Sequence, residues 1–221
     1  MSTGSRLLDE ENRRILKEEY WSKLVRPVKL VYFTRDDPSC QYCDLVKQIL
    51  DEITDKELTD KIEVVQYDID KDIDLRRKLG ILKAPAIIIQ GINKGLIKYY
   101  GVPAGTEFPA FLETIVHVST GEAHLPREVG EEVEALEENV NIKVFVTTSC
   151  PYCPRMVHTA YMFAMLNRRV EAEAWELSGF PDIASQYGVY AVPKVVVNEK
   201  IEWEGSVTPE YLIRKVNEAI G

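Results

Sequence analysis

The cysteines of this chain form two pairs with a spacing suited to redox chemistry. Cys40 and Cys43 make the first Cys-x-x-Cys motif, Cys150 and Cys153 make the second, and these are all four cysteines among 221 residues. A cysteine thiolate attacks a disulfide, and a second cysteine within reach can complete the exchange. Two such pairs therefore indicate thiol–disulfide chemistry at two places in one chain.

A proline follows each cysteine pair at almost the same interval. Pro85 and Pro193 lie 45 and 43 residues after the first cysteine of their respective pairs. The bond before a proline is the one commonly found in the cis form, and such a bond is usually a fixed feature. We therefore predict cis bonds after Ala84 and Val192, each packed against its own cysteine pair.

The residues around the cysteines predict the same order of elements twice. In the first half, a strand at residues 28–34 precedes the cysteine pair, and a helix over residues 43–53 begins with the second cysteine. In the second half, a strand at 142–146 and a helix at 151–166 take the same positions. The helix start matters because its free N–H groups and macrodipole stabilise a thiolate.

The order of the remaining elements predicts the fold class. Each half continues with a second strand, a short helix, a hairpin and a closing helix, which indicates an α/β fold with a mixed central sheet flanked by helices. We expect two tandem domains of this kind, at residues 1–119 with the first cysteine pair and at residues 120–221 with the second. Gly121 and Pro126 interrupt the helical and strand periods near this boundary.

Composition and charge restrict the partners and the location. The net charge of −9 argues against nucleic acid or an anionic membrane as the main partner, because both are polyanions. The sequence contains no apolar stretch of about 20 residues that could span a bilayer, and residues 1–14 do not resemble an export signal. We therefore expect a cytoplasmic protein. Few Asn and Gln residues, 12 in total, and 29% charged residues favour a heat-adapted source.

These motifs resemble those of a known family. The arrangement looks like the thioredoxin fold in tandem, and Cys150-Pro151-Tyr152-Cys153 is the motif of glutaredoxins. Two fused units with active cysteine pairs are similar to the protein disulfide oxidoreductases of heat-loving microbes, which are relatives of protein disulfide isomerase. The resemblance implies reduction, oxidation and isomerisation of disulfides in protein substrates. It also implies recharging by a flavin-containing, thioredoxin-reductase-like electron donor, and we expect no organic cofactor beyond the redox-active disulfides.

The chemistry gives the two cysteines of a pair different roles. Cys40 and Cys150 are expected to attack the substrate from exposed positions at the helix starts. Cys43 and Cys153, one turn further in, would then resolve the mixed disulfide. Contact with substrate is expected from Tyr42 and Tyr152 between the cysteines, from Ala84 and Val192, and from the cis-prolines Pro85 and Pro193, which position the substrate.

The two sites are not expected to be equally reactive. Asp36 and Asp37 precede Cys40, and their charge would raise its pKa if they lie close to it. The residues just before Cys150 carry no negative charge, so we predict that Cys150 is the more acidic nucleophile. Thioredoxins bury an Asp six residues before the first cysteine. This chain has Thr and Val there, so another group or water must accept the proton.

Other interpretations of the sequence remain open. The chain could be a dedicated electron relay to a peroxidase, in which one cysteine pair hands electrons to the other. It could instead be a zinc-holding or structural adaptor, although 106 residues lie between the two pairs, and the two pairs of a zinc site are usually separated by about 12 to 20 residues. His117, His124 and His158 are scattered in the sequence without the spacing of a ligand set, so we expect packed or solvated side chains.

Overall fold

The structure is a computed structural model that describes residues 6–221. Residues 1–5, on which part of the prediction about an export signal rests, lie outside the described part. Up to residue 120 the elements are α1 (Glu10–Ile15), β1 (Val28–Thr34), α2 (Cys43–Ile53), β2 (Ile62–Asp68), α3 (Ile73–Lys78), β3 (Ala86–Gln90), β4 (Leu96–Tyr100) and α4 (Glu107–Thr120). They are followed by α5 (Arg127–Glu134), β5 (Val140–Val146), α6 (Cys153–Leu166), β6 (Val170–Glu176), α7 (Pro181–Gln186), β7 (Lys194–Val197), β8 (Ile201–Glu204) and α8 (Pro209–Ile220). We call the elements up to α4 the first unit and those from α5 onward the second unit.

Short irregular helices complete this order. A π-helical turn at Leu16–Tyr20 and a 3₁₀ turn at Trp21–Lys23 extend α1, and a 3₁₀ turn at Leu177–Gly179 follows β6. The glycine after α4, Gly121, adopts a left-handed φ of 84° and ends the helix. The division of the chain after residue 119 remains a prediction.

The two units repeat one sheet topology. In the first unit β1 pairs with β2 in parallel and with β3 in antiparallel orientation, and β3 pairs with β4. In the second unit β5 pairs in the same way with β6 and β7, and β7 with β8. The predicted fold class, two tandem α/β units with mixed sheets, is confirmed.

The sequence did not predict that the two sheets join. Strand β4 pairs in parallel with β6, from Leu96 opposite Glu171 to Tyr100 opposite Trp175. The described residues thus form one eight-stranded sheet in the order β2-β1-β3-β4-β6-β5-β7-β8. Strands β1, β4, β6 and β5 run in the same direction, so both cysteine pairs follow their strands at the same edge of the sheet. Four strand spacings, about 19 Å in total, separate β1 from β5.

Apolar side chains bury both faces of this joined sheet. Alternate residues of one strand belong to different core clusters, with Leu30 and Tyr32 on one face and Val31 and Phe33 on the other. Residues of the second unit, such as Ile142, belong to the same cluster as Leu30. The two units therefore share their core.

A buried ionic network crosses the junction between the units. The fully buried ammonium of Lys98 on β4 contacts the carboxylates of Glu171 and Glu173 on β6, and donates to the carbonyl of Gly80 at 3.1 Å. The indole of Trp175 donates to Glu173 at 2.8 Å. A buried charge without partners is strongly destabilising, so the β4–β6 pairing is held in the register that satisfies these groups.

Two glycines at equivalent positions permit a test of the junction. Gly101 and Gly205 follow β4 and β8. The N–H of Gly101 donates to the carbonyl of Pro85, and the N–H of Gly205 donates to the carbonyl of Pro193. Both have left-handed backbones, with φ of 99° and 93°. A Cβ on Gly101 would lie 2.8 Å from the Cβ of Glu176. Among the described residues, no atom beyond its chain neighbours would lie within 4 Å of a Cβ on Gly205.

We expect Gly101→Ala to destabilise the protein more than Gly205→Ala. The backbone strain is shared and costs about 1–2 kcal/mol, whereas Gly101→Ala adds the clash with Glu176, roughly 1–3 kcal/mol. Free energies of unfolding from denaturant titration give both values. Equal losses would show that the second unit does not press on Gly101.

Candidate active sites

Each cysteine pair forms a disulfide at the start of a helix. Cys40 is bonded to Cys43 and Cys150 to Cys153, with 5.5 Å between the Cα atoms in both cases. Cys43 and Cys153 are the first residues of α2 and α6 and are 3% and 0% exposed. The two cysteines that are expected to resolve the mixed disulfide therefore lie inside the protein.

The first cysteine of each pair is less exposed than predicted. Cys40 is partly buried, but Cys150 is 7% exposed, so the prediction of an exposed position is wrong for Cys150. Its Sγ lies 3.7 Å from the carbonyl oxygen of Val192, and its own carbonyl accepts a hydrogen bond of 2.9 Å from the Thr106 hydroxyl. Residues that are distant in the sequence pack around Cys150, and the periodicity of apolar residues along the chain does not reveal such contacts.

Both predicted cis bonds are present. The Ala84–Pro85 and Val192–Pro193 bonds are cis, and both prolines are buried. At the second site the contact between the Cys150 sulfur and the Val192 carbonyl places the proline loop against the disulfide, as predicted. The roles of Pro85 and Pro193 in positioning substrate remain predictions.

Backbone hydrogen bonds to sulfur differ between the two sites. At the second site the N–H of Cys153 donates to the Sγ of Cys150 at 3.2 Å. At the first site the N–H of Arg35 points to the Sγ of Cys43 at 3.4 Å. A donor at a helix start stabilises a thiolate on the sulfur that it contacts. The second site thus directs its donor to the cysteine expected to attack.

Charged side chains surround the first site. The backbone N–H of Ser39, and to a smaller extent its side chain, donate hydrogen bonds that lower the pKa of Asp37. The neighbouring Arg35 lowers this pKa further. Asp36 lies 3.7 Å from the ammonium of Lys71, and Arg35 pairs with Asp70 at 2.7 Å. The aspartates therefore share the site with cations that offset part of their charge.

Helix α4, which begins next to a residue that contacts Cys150, carries a buried carboxyl group that sequence reasoning missed. Glu107, the first residue of α4, is 1% exposed, and neither carboxyl oxygen has a hydrogen-bond partner among the described residues. Burial, and then the charge of Glu176, raise the pKa of Glu107 to about 8. The preceding residue, Thr106, donates its N–H to Thr148 and its hydroxyl to Cys150. A buried acid with a raised pKa thus begins the helix whose preceding residue contacts Cys150.

The position of Glu176 follows from the sheet. It is the last residue of β6, opposite Val146 at the end of β5, and its side chain is fully buried. One carboxyl oxygen accepts from the N–H and the hydroxyl of Ser178, at 3.1 and 2.6 Å. Nothing in the sequence distinguishes Glu107 and Glu176 from the many surface glutamates, because the junction of the two units buries them.

The two tyrosines between the cysteines differ in exposure. The side chain of Tyr152 is 68% exposed. Tyr42 is partly buried, and a methyl group on Gly179 of the second unit would lie 3.2 Å from its Cδ2. Lys83 in the first proline loop also pairs with Asp182 of the second unit at 2.6 Å. The first site is therefore partly walled by the second unit.

The three histidines form a cluster, which corrects their description as scattered. His117 stacks edge-on with both other rings, at centroid distances of 4.9 Å to His124 and 5.0 Å to His158. Burial lowers the pKa of His117 to about 4, and the other two histidines add to this. Within residues 6–221, no three His, Cys, Asp or Glu side chains are arranged to hold a metal ion.

No helix in the described part of the chain is both long and apolar enough to cross a membrane.

Comparison with known proteins gives consistent matches. The thioredoxin domain model matches residues 140–218. The chain is 30% identical to a thioredoxin of Methanocaldococcus jannaschii over 82 residues, which are 37% of this chain and 96% of that protein. A solved structure of a protein disulfide oxidoreductase from Aeropyrum pernix K1 has a TM-score of 0.83 and 27% identity, and the match covers 97% of this chain and 95% of that one.

A longer relative matches almost the whole chain. Over 211 residues the chain is 26% identical to a component of the alkyl hydroperoxide reductase of Escherichia coli K12, a match that covers 96% of this chain and 38% of that protein. The chain spans roughly a third of the length of the three alkyl hydroperoxide reductase components that it matches.

The fold and the two sites define a protein of tandem thioredoxin-like domains with a redox-active disulfide in each. The chain belongs to the thioredoxin family.

Proposed function

We propose that this protein is a thiol–disulfide oxidoreductase that reduces, oxidises and isomerises disulfides of protein substrates. The observation that carries the proposal is that the site occurs twice. Each unit has a disulfide at a helix start and a cis-proline, and both disulfides lie at the same edge of the joined sheet. The likeness to the protein disulfide oxidoreductase from Aeropyrum pernix supports it.

The proposed reduction at the second site proceeds in two exchanges. The Cys150 thiolate attacks one sulfur of the substrate disulfide, whose S–S bond breaks, and the departing sulfur takes up a proton. Cys153 then loses its proton and attacks the Cys150 sulfur, which releases the second substrate thiol. Two electrons have passed to the substrate, and the Cys150–Cys153 bond has formed. The same steps in reverse oxidise a dithiol, and Cys40 and Cys43 perform them at the first site.

Glu107 is the group that we propose for proton transfer at the second site. Its pKa of about 8 lies close to the range in which thiols ionise, so it can hold or release a proton near neutral pH. The sequence predicted that another group, or water, must act here in place of the usual Asp. The hydrogen bond from Thr106 to Cys150 ties the start of α4, where Glu107 lies, to the second site and supports this proposal.

The partner that recharges the disulfides is proposed from the cysteine motifs and the relatives. The doubled Cys-x-x-Cys motif resembles that of the protein disulfide oxidoreductases. This resemblance favours a flavin-containing, thioredoxin-reductase-like donor. The match along nearly the whole chain to the alkyl hydroperoxide reductase component favours a second function. In that alternative the protein relays electrons to a peroxidase. The cytoplasmic location remains a prediction.

Reduction of insulin with dithiothreitol as electron donor tests the proposal. We expect the intact protein to accelerate insulin reduction and the variant Cys40→Ser/Cys150→Ser to fall to the uncatalysed rate, because the cysteines that attack the substrate are absent and the remaining two are buried. The single variants show how the activity is divided between the sites. A protein that leaves insulin at the uncatalysed rate while it reduces a peroxidase disulfide would establish the relay instead.

A further inference from the structure

Exposed apolar side chains concentrate around the two sites. The large hydrophobic side chains that are exposed within residues 6–221 are Leu7, Val25, Ile73, Leu82, Tyr152 and Tyr190. Tyr152 lies between the second cysteines, and Leu82 and Tyr190 each lie three residues before a cis-proline. Single exposed apolar residues are normal on a protein surface, but a concentration at small loops beside a reactive group indicates a binding surface.

At the second site these side chains belong to uncharged segments of the chain. Residues 147–154 and residues 187–193 contain no charged side chain. The 3.7 Å contact between Cys150 and Val192 holds the two segments together. Tyr152 and Tyr190, which are 68% and 94% exposed, each lie two residues from this contact. Two solvent-exposed aromatic side chains therefore lie on the two segments that meet at Cys150.

The first site has a different surface at the equivalent positions. Arg35, Asp36 and Asp37 lie just before its cysteines. Tyr42 packs against Gly179, and the Lys83–Asp182 ion pair ties the first proline loop to the second unit. The first site therefore has charged side chains and a partly covered tyrosine where the second site has two exposed tyrosines.

We propose that the second site selects extended protein segments with an apolar side chain beside the reacting cysteine, and that Tyr190 is the residue that determines this specificity. The inference rests on the proposed oxidoreductase function and adds a substrate class to it. Unfolded and partly folded proteins expose such segments, because folding would bury their apolar side chains. An aromatic ring offers a large contact area with few rotatable bonds, so it binds them at a low entropic cost.

Peptide disulfides test this specificity in a Cys40→Ser/Cys43→Ser background, in which the second site reacts alone. The substrates are disulfide-linked dimers of a short peptide with Phe or with Ser beside its cysteine, and bis(2-hydroxyethyl) disulfide, all with dithiothreitol as reductant. We expect kcat/KM to favour the Phe peptide over the Ser peptide by roughly tenfold. Tyr190→Ala should abolish most of this preference, whereas Tyr190→Phe should retain it.

Val25→Ala is the matched control, because Val25 is exposed and apolar but precedes the opposite end of β1 from the cysteines. It should keep the full preference. Equal kcat/KM for both peptides, or a preference that survives Tyr190→Ala, would overturn the inference about specificity. If the protein still reduced the small disulfide in that case, the proposed function would stand. Failure to reduce even the small disulfide would overturn the proposed function itself.

Discussion

Cys153→Ser is expected to convert the second site into a trap for its substrates. In the reduced variant the Cys150 thiolate still attacks a substrate disulfide, but no neighbouring thiol can release the product. In the intact protein Cys153 lies one helical turn away, so its attack is intramolecular and far faster than attack by thiols in solution. The mixed disulfide should therefore accumulate at least about tenfold above its level in the intact protein.

Non-reducing gel electrophoresis after mixing with insulin, followed by mass spectrometry, measures the adduct. Cys150→Ser/Cys153→Ser is the control, since it lacks the attacking sulfur and should form no adduct at this site. Cys43→Ser reports the same step at the first site. If Cys153→Ser formed no adduct while its free thiol count stayed correct, the order of attack assigned to Cys150 and Cys153 would be wrong.

Glu107→Gln is expected to change how stability depends on pH. The folded-state pKa of Glu107 is raised to about 8 from an ordinary 4.5. Between these values the folded protein keeps a proton that the unfolded chain releases, so stability falls as pH rises and levels off above pH 8. At about 1.36 kcal/mol per pKa unit the loss reaches an upper limit of about 5 kcal/mol. A neutral glutamine avoids it.

Denaturant unfolding at pH 5.5 and pH 9 measures the effect of Glu107→Gln. The stability of the variant relative to the intact protein should rise by about 3 kcal/mol between pH 5.5 and pH 9. Insulin reduction near pH 7 should fall roughly tenfold or more, because glutamine cannot transfer a proton. Glu113→Gln, an exposed position on the same helix, is the control. An unchanged pH profile in Glu107→Gln would mean that Glu107 is ionised in the folded protein.

The sequence was informative wherever neighbours along the chain decide the structure. The strand at residues 28–34, the helix at 43–53 and both cis bonds agree with the structure, because β-branched runs, helical periodicity and X-Pro bonds are local signals. The cysteine spacing likewise determined that each pair could close its own disulfide at a helix start.

Contacts between distant residues were decided by the tertiary structure. The β4–β6 pairing brings the two units into one sheet, and both Glu107 and Glu176 are buried in the joined protein. It also places Gly179 against Tyr42 and gathers the three histidines into one cluster.

The chain by itself thus determined the reactive sulfurs and their helices, since these depend on spacing over a few residues. The proton-holding acid, the burial of Cys150 and the different surfaces of the two sites came from the packing of one unit on the other. Packing of that kind depends on the shapes of two whole surfaces, and the linear sequence does not display those shapes.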